Sequence, residues 1–257
     1  MGVSFLTRKN RKQTQKMDKA LPGLSEAQRE IILSEAATKQ IVAAAGSGKT
    51  RTVTALAGHY LRTGRSRPGR TLLLTFSRKA CQEMRERLDA DVAAGVQVST
   101  FHGFCFGLLA SMHSFTVVGE EEMFRILAPL LRQHKEEIGG IPFSSLLGNP
   151  RLFRQEFPEL AMKVFRYWIR WKEKHRCLEY DDMIRRSLQW LRSEKGQSRM
   201  KAKYDLIIVD EYQDTDRQQL RFLELMQPAH LVTVVCVSHS TKETSEPSPR
   251  HCRVFRE

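Results

Sequence analysis

No stretch of this 257-residue chain approaches the ~18 apolar residues of a membrane span. None of its five cysteines forms a Cys-x-x-Cys pair, which excludes a zinc ribbon and a redox dithiol, and the eight histidines show no metal-ligand spacing. Thiols scattered as Cys81, Cys105, Cys177, Cys236 and Cys252 fit a reducing compartment. Acidic residues are also in deficit: 29 Asp and Glu face 42 Lys and Arg, a formal charge of +13. Residues 1–20 carry the basic run RKNRKQTQKMDK but no apolar stretch long enough for a signal peptide. These absences predict a soluble cytoplasmic or nuclear protein with no membrane partner. The charge excess favours a polyanion, nucleic acid first, although a solvated basic surface would carry the same charge.

Short runs rich in Val, Leu and Ile read as strands at Gln40–Ala44, Thr71–Thr75, Val96–Thr100, Leu206–Val209 and Leu231–Val237. Helical stretches separate them, among them Leu24 to about Thr38, Thr50–Leu61 and Ser77–Ala90. Such alternation predicts an α/β fold, a parallel sheet with helices on both faces. The middle is different, helical in pattern and broken at Gly139-Gly140-Ile141-Pro142 and Gly148-Asn149-Pro150. In it Ala161, Val164, Phe165, Trp168 and Trp171 or Lys172 share one helical face, read as packing. Farther on, Glu179–Asp182 places acids at a helix start, where the dipole alone accounts for them. The expected organisation is a basic flexible arm (1–20), an α/β lobe in two parts (21–105 and 178–237), a helical insert (106–177) and a disordered, divergent tail (238–257).

Two motifs carry chemistry. Ala43–Thr50 fits A-x-x-x-x-G-K-T, a strand breaking into Ala45-Gly46-Ser47-Gly48-Lys49-Thr50 before a helix. Glycines there let the backbone turn its N–H groups toward phosphates, Lys49 sets a cation on them, and the Thr50 hydroxyl can ligate Mg²⁺. Residues 204–216, YDLIIVDEYQDTD, deliver Asp210 and Glu211 to the carboxyl end of a strand, where open α/β sheets place their ligands. Asp210 suits Mg²⁺, and Glu211 suits an attacking water.

Those motifs, in order with LSEAQREII, LLLTFSRKACQEMRERL, VSTFHGFC and LEYDDMI, resemble the N-terminal part of the UvrD/Rep-like superfamily 1 DNA helicases. The resemblance implies a P-loop NTPase fold of RecA-like type with an inserted all-helical subdomain. It also implies ATP and Mg²⁺ as cofactors, and single-stranded DNA or duplex junctions as partner. Position by position it implies that Gln28 reads adenine, although Ser25-x-x-Gln28 is equally a capping box. Arg51 matches a nucleotide-contacting arginine, and Gln213 a glutamine that couples the γ-phosphate to DNA. Thr75, Phe76, Lys79, Thr100, Phe101 and His102 fall on single-strand-binding segments; for Phe76 and Phe101 a core aromatic is the competing reading.

After Leu231-Val232-Thr233-Val234-Val235 the pattern departs: Cys236-Val237-Ser238-His239 stands where the family has Gly-Asp and a glutamine. The second motor lobe, with its catalytic arginines, has no counterpart, so a truncated or frameshifted product, or a cut fragment, is the expectation. Two functions compete: a helicase motor moving 3′ to 5′, represented by its first lobe, and a lobe that binds MgATP and single-stranded DNA with little turnover. A small-molecule kinase is a third class, for which no lid or acceptor site is visible.

Overall fold

The computed structural model describes residues 21–44, 46–227 and 230–237. The proposed arm and tail lie outside these. Among the described residues two compact units form, one from residues 21–104 and 188–237, the other from Cys105–Ser187.

The strands are β1 (Thr38–Ala43), β2 (Thr71–Thr75), β3 (Val96–Thr100), β4 (Thr116–Val117), β5 (Cys177–Leu178), β6 (Leu206–Val209) and β7 (Leu231–Val237). Five of them build one all-parallel sheet in the order β1-β7-β6-β2-β3. Leu72, Leu73 and Leu74 of β2 and all of β6 are buried, as expected when helices cover a parallel sheet on both faces. The helix Lys49–Arg62 contributes Val53, Leu56 and Ala57 to a core shared with Ile41, Leu73, Ile208 and Val235. The register aligns Gln40, Val234, Val209, Leu74 and Ser99 in one row, so every connection leaving the carboxyl edge starts from a common line.

The first helix is shorter than its sequence pattern predicts. It covers Glu26–Leu33, and Ser34 caps it by donating its N–H to the Glu30 carbonyl. Thr38 already pairs with Val232, and the Val232 N–H donates to the Ala37 carbonyl, so the ladder takes residues that helical periodicity claims.

That ladder buries Lys39, which is 7% exposed. Its ammonium donates to the Tyr60 hydroxyl at 2.7 Å and the Ile31 carbonyl at 3.1 Å. Burial, and secondarily the Arg65 charge, lower its pKa to about 8. Because the folded pKa lies below the unfolded one, the charged ammonium opposes folding at neutral pH, and the penalty fades as pH rises from about 8 past 10. The stability of the wild-type chain should therefore gain about 1 kcal/mol, after solvent screening, on a Lys39→Met/Tyr60→Phe variant between roughly pH 7 and 10. Urea unfolding of both proteins across that range checks it; parallel curves would refute it.

The second unit is mainly helical, with Leu127, Leu131, Phe153, Ala161, Val164 and Trp168 in its core. Its long helix, Pro158–His175, buries Leu160, Ala161, Val164, Trp168 and Lys172. The Lys172 ammonium is held by Glu179 and by Asp182 at 2.5 Å, and Asp182 also accepts from Arg185. Burial pushes the Asp182 carboxyl upward, but these two cations outweigh it and hold the group below its ordinary value. The acids at 179–182 thus neutralise a buried lysine, a role the helix-dipole reading misses. A two-residue parallel pair, β4 with β5, also interrupts the helical pattern.

Candidate nucleotide and nucleic-acid site

At the end of β1 the chain turns through Gly46 (φ 76°) and Gly48 (φ 83°), and the helix begins at Lys49. Gly48 is the N-cap and no side chain caps this end, so the first N–H groups have no intrahelical partner and their partial positive charge is free for an anion. A Cβ on Gly48 would lie 3.1 Å from Gln28 Nε2. Lys49 Nζ donates to the Ala44 carbonyl at 3.3 Å, a long bond to a neutral acceptor. Ala45 lies outside the described residues.

Gln28 is doubly engaged. Its carbonyl accepts from the Ser25 N–H at 2.9 Å while its backbone N–H donates to Ser25 Oγ, completing the capping box. Its Nε2 donates to the Ser47 carbonyl at 3.1 Å. The same side chain therefore ties the first helix to the glycine turn, a contact that sequence spacing cannot show. Arg51 makes a second tie: its Nη2 donates to the Pro22 carbonyl at 3.5 Å and covers Gly23 (φ 70°), where a Cβ would sit 2.3 Å from that nitrogen.

Asp210 follows β6 one residue past the aligned row and donates its N–H to the Leu74 carbonyl at 2.9 Å. It is 4% exposed, and its Oδ1 is buried without a hydrogen-bond partner. Thr75, level with it on the neighbouring strand, is fully buried and its hydroxyl likewise lacks a partner. Burial, then the Glu211 charge, raise the Asp210 pKa to about 6, while the Lys49 charge acts in the opposite sense. Glu211 takes φ 52°, a left-handed conformation uncommon outside glycine, and accepts a bond from Gln213 Nε2. Residues far apart in sequence meet at one sheet edge.

The donor set fits Mg²⁺ carried by a phosphate ligand. Among the described residues no group of three or more His, Cys, Asp or Glu could hold a metal unaided. Mg²⁺ commonly takes one or two carboxylates together with substrate phosphates, and the unpartnered, desolvated Asp210 oxygen suits that sharing. Thr50 stands on the first turn of the helix that begins at Lys49.

The six residues read as DNA contacts divide. Lys79 is exposed on the first turn of the helix Arg78–Arg87, and Phe76 is half-buried at the end of β2. Phe101 is only 1% exposed, its ring against Phe76 (5.5 Å) and Phe222 (6.3 Å). Thr75 is likewise fully buried. Thr100 Oγ1 accepts from the Gly103 N–H at 3.0 Å, capping the next helix, and His102 is half-buried.

Among the described residues no helix is long and apolar enough to cross a membrane. The chain is 26% identical over 242 residues to the ATP-dependent DNA helicase PcrA of Bacillus subtilis, an overlap of 84% of this chain and 32% of that protein. PcrA of Staphylococcus epidermidis is 27% identical over 237 residues, covering 82% and 32% respectively. The chain thus spans about a third of the length of the curated relatives it matches. The family model described as the UvrD/REP helicase N-terminal domain matches residues 24–139 and 149–237. With that match over most of its length, the chain belongs to the UvrD/REP helicase N-terminal domain family.

Proposed function

We propose that this chain is the nucleotide-binding lobe of an ATP-dependent DNA motor of the UvrD/Rep type, working 3′ to 5′ on single-stranded DNA. The observation that supports it most is the buried, unpartnered Asp210 Oδ1 at the carboxyl end of β6, on the same sheet edge as the uncapped helix N-terminus that begins at Lys49. In this reading the N–H groups of Gly46–Thr50 and the Lys49 ammonium bind the triphosphate. Gln28 and Arg51 give up their present bonds to meet the base and the phosphates. Thr50 and Asp210 would hold Mg²⁺, which supplies charge neutralisation on the phosphates. Glu211 accepts the proton of the attacking water, oriented by its left-handed turn, and Gln213 reports the state of that carboxylate to the DNA face.

Lys49 is the cation whose charge acts on Asp210. Arginines from a facing lobe contribute ~10³–10⁵ in rate in related phosphoryl transfers. The second reading, binding of MgATP and single-stranded DNA with near-background turnover, therefore describes this chain when it acts alone; a facing lobe completes the motor.

The DNA side is tested by binding a labelled oligothymidylate at several salt concentrations. Phe76→Ala should weaken binding about tenfold through lost stacking, and Lys79→Ala should lower the salt slope by about one unit. Glu211→Gln should bind the oligonucleotide as the wild type does, with the same salt slope. Wild-type affinity in both Phe76→Ala and Lys79→Ala would remove this face from the account.

A further inference from the structure

The helical unit holds a pocket of about 620 Å³ that takes no part in the site described above. Its lining includes the apolar Leu109, Phe115 and Leu178, the basic Arg176 and Arg186, and His113, with Glu173 as the one lining acid. Lys172 also lines it, but that ammonium is neutralised by Glu179 and Asp182. Among the described residues neither Arg176 nor Arg186 has a carboxylate within ion-pair range, whereas Arg185 next door is paired with Asp182. The volume falls in the range of small-molecule sites and far exceeds a bare phosphate.

Arg176 adds an independent observation. It ends the helix Pro158–His175 at φ 52°, ψ 46°, the left-handed position where glycine or asparagine is favoured. Its carbonyl accepts from the Thr116 N–H at 3.0 Å, fixing the turn into β5. A long, charged side chain is thus kept where the backbone disfavours it, and that side chain lines the pocket.

We infer that this pocket binds a phosphorylated ligand of mononucleotide size, its phosphate between Arg176 and Arg186 and its planar part against Leu109, Phe115 and Leu178. Guanidinium groups suit phosphate oxygens by their forked donors, and apolar walls suit a base. The ligand is either a free nucleotide or one nucleotide of a nucleic-acid strand.

The test uses the full chain carrying Lys49→Ala, which weakens the glycine-turn site by about tenfold to a hundredfold, so failure here is separate from failure of the nucleotide reading above. Calorimetric titration with dTMP should show binding, and thymidine, lacking the phosphate, should bind at least about tenfold more weakly. Adding Arg176→Gly and Arg186→Ala should weaken dTMP by at least about tenfold. Glycine accepts the left-handed turn, so the thermal midpoint should not fall. Displacement of dTMP by an oligothymidylate identifies a strand as the source; retention at saturating oligonucleotide identifies a free nucleotide. Equal binding of dTMP and thymidine, unchanged dTMP affinity in the arginine variant, or no dTMP binding would each overturn the inference.

Discussion

Replacing Lys49 with alanine is expected to weaken MgATP binding by about tenfold to a hundredfold while leaving the fold intact. A hydrogen bond to a charged group contributes about 1.5–3 kcal/mol, and a triphosphate offers the ammonium several anionic acceptors. In the nucleotide-free chain the same ammonium makes a long bond to the neutral Ala44 carbonyl, so its removal costs the free protein little, under about 0.5 kcal/mol. The two effects separate in one experiment. Titration with a fluorescent ATP analogue should show the loss of affinity, and thermal unfolding without nucleotide should show an unchanged midpoint. Unchanged affinity would mean that the glycine turn is structural only.

Asp210→Asn should change the pH dependence of stability. The folded-state pKa of Asp210 is raised to about 6, first by burial and then by Glu211, from an ordinary value of 3.8. A raised carboxylate pKa means that the folded state binds the proton more tightly than the unfolded state. Wild-type stability therefore falls as pH climbs from about 4 through 6, then levels, for a total of about 2–3 kcal/mol. Asparagine does not titrate. A new unpaired amide N–H at the buried Oδ1 position could cost about 1–3 kcal/mol, but that offset is independent of pH. The stability difference, variant minus wild type, should thus grow by about 2–3 kcal/mol between roughly pH 4 and 7.5, as read from urea unfolding. The same variant should lose Mg²⁺-dependent nucleotide affinity. A difference that stays flat with pH would show that the carboxylate is not desolvated.

The two predictions share one cause. A desolvated carboxylate with an unpartnered oxygen destabilises the free protein at neutral pH, and a bound cation relieves it.

Parallel strands were legible in the sequence because runs such as Thr71–Thr75 and Leu206–Val209 are too short for helices and alternate with longer helical stretches, which decides what apolar continuity alone does not. The end of the first helix was not legible, because Thr38 and Lys39 follow the helical pattern and only pairing with β7 reveals them as strand. In the site, Lys49, Thr50, Asp210 and Glu211 announce themselves by residue type beside glycines or a strand end. The double use of Gln28 was half legible: Ser25-x-x-Gln28 shows the cap, but the bond to the Ser47 carbonyl depends on how two segments fold together. The burial of Phe101 and Thr75 was not legible for a related reason. Motif position names a segment, whereas burial decides which of its side chains can reach a ligand, and local sequence does not encode burial. Arg176 and the lysine cluster at 172–185 carry no sequence signature, since both depend on a turn that only the folded unit defines.

The central claim is that the glycine turn and the Asp210–Gln213 segment, far apart in sequence, serve one Mg²⁺–triphosphate ligand. Amide hydrogen exchange, followed with and without MgATP, tests this most directly. The account predicts simultaneous slowing at residues 46–51 and 210–213, lost from both segments together in Lys49→Ala. Slowing confined to one segment, or persisting at 210–213 in that variant, would contradict it.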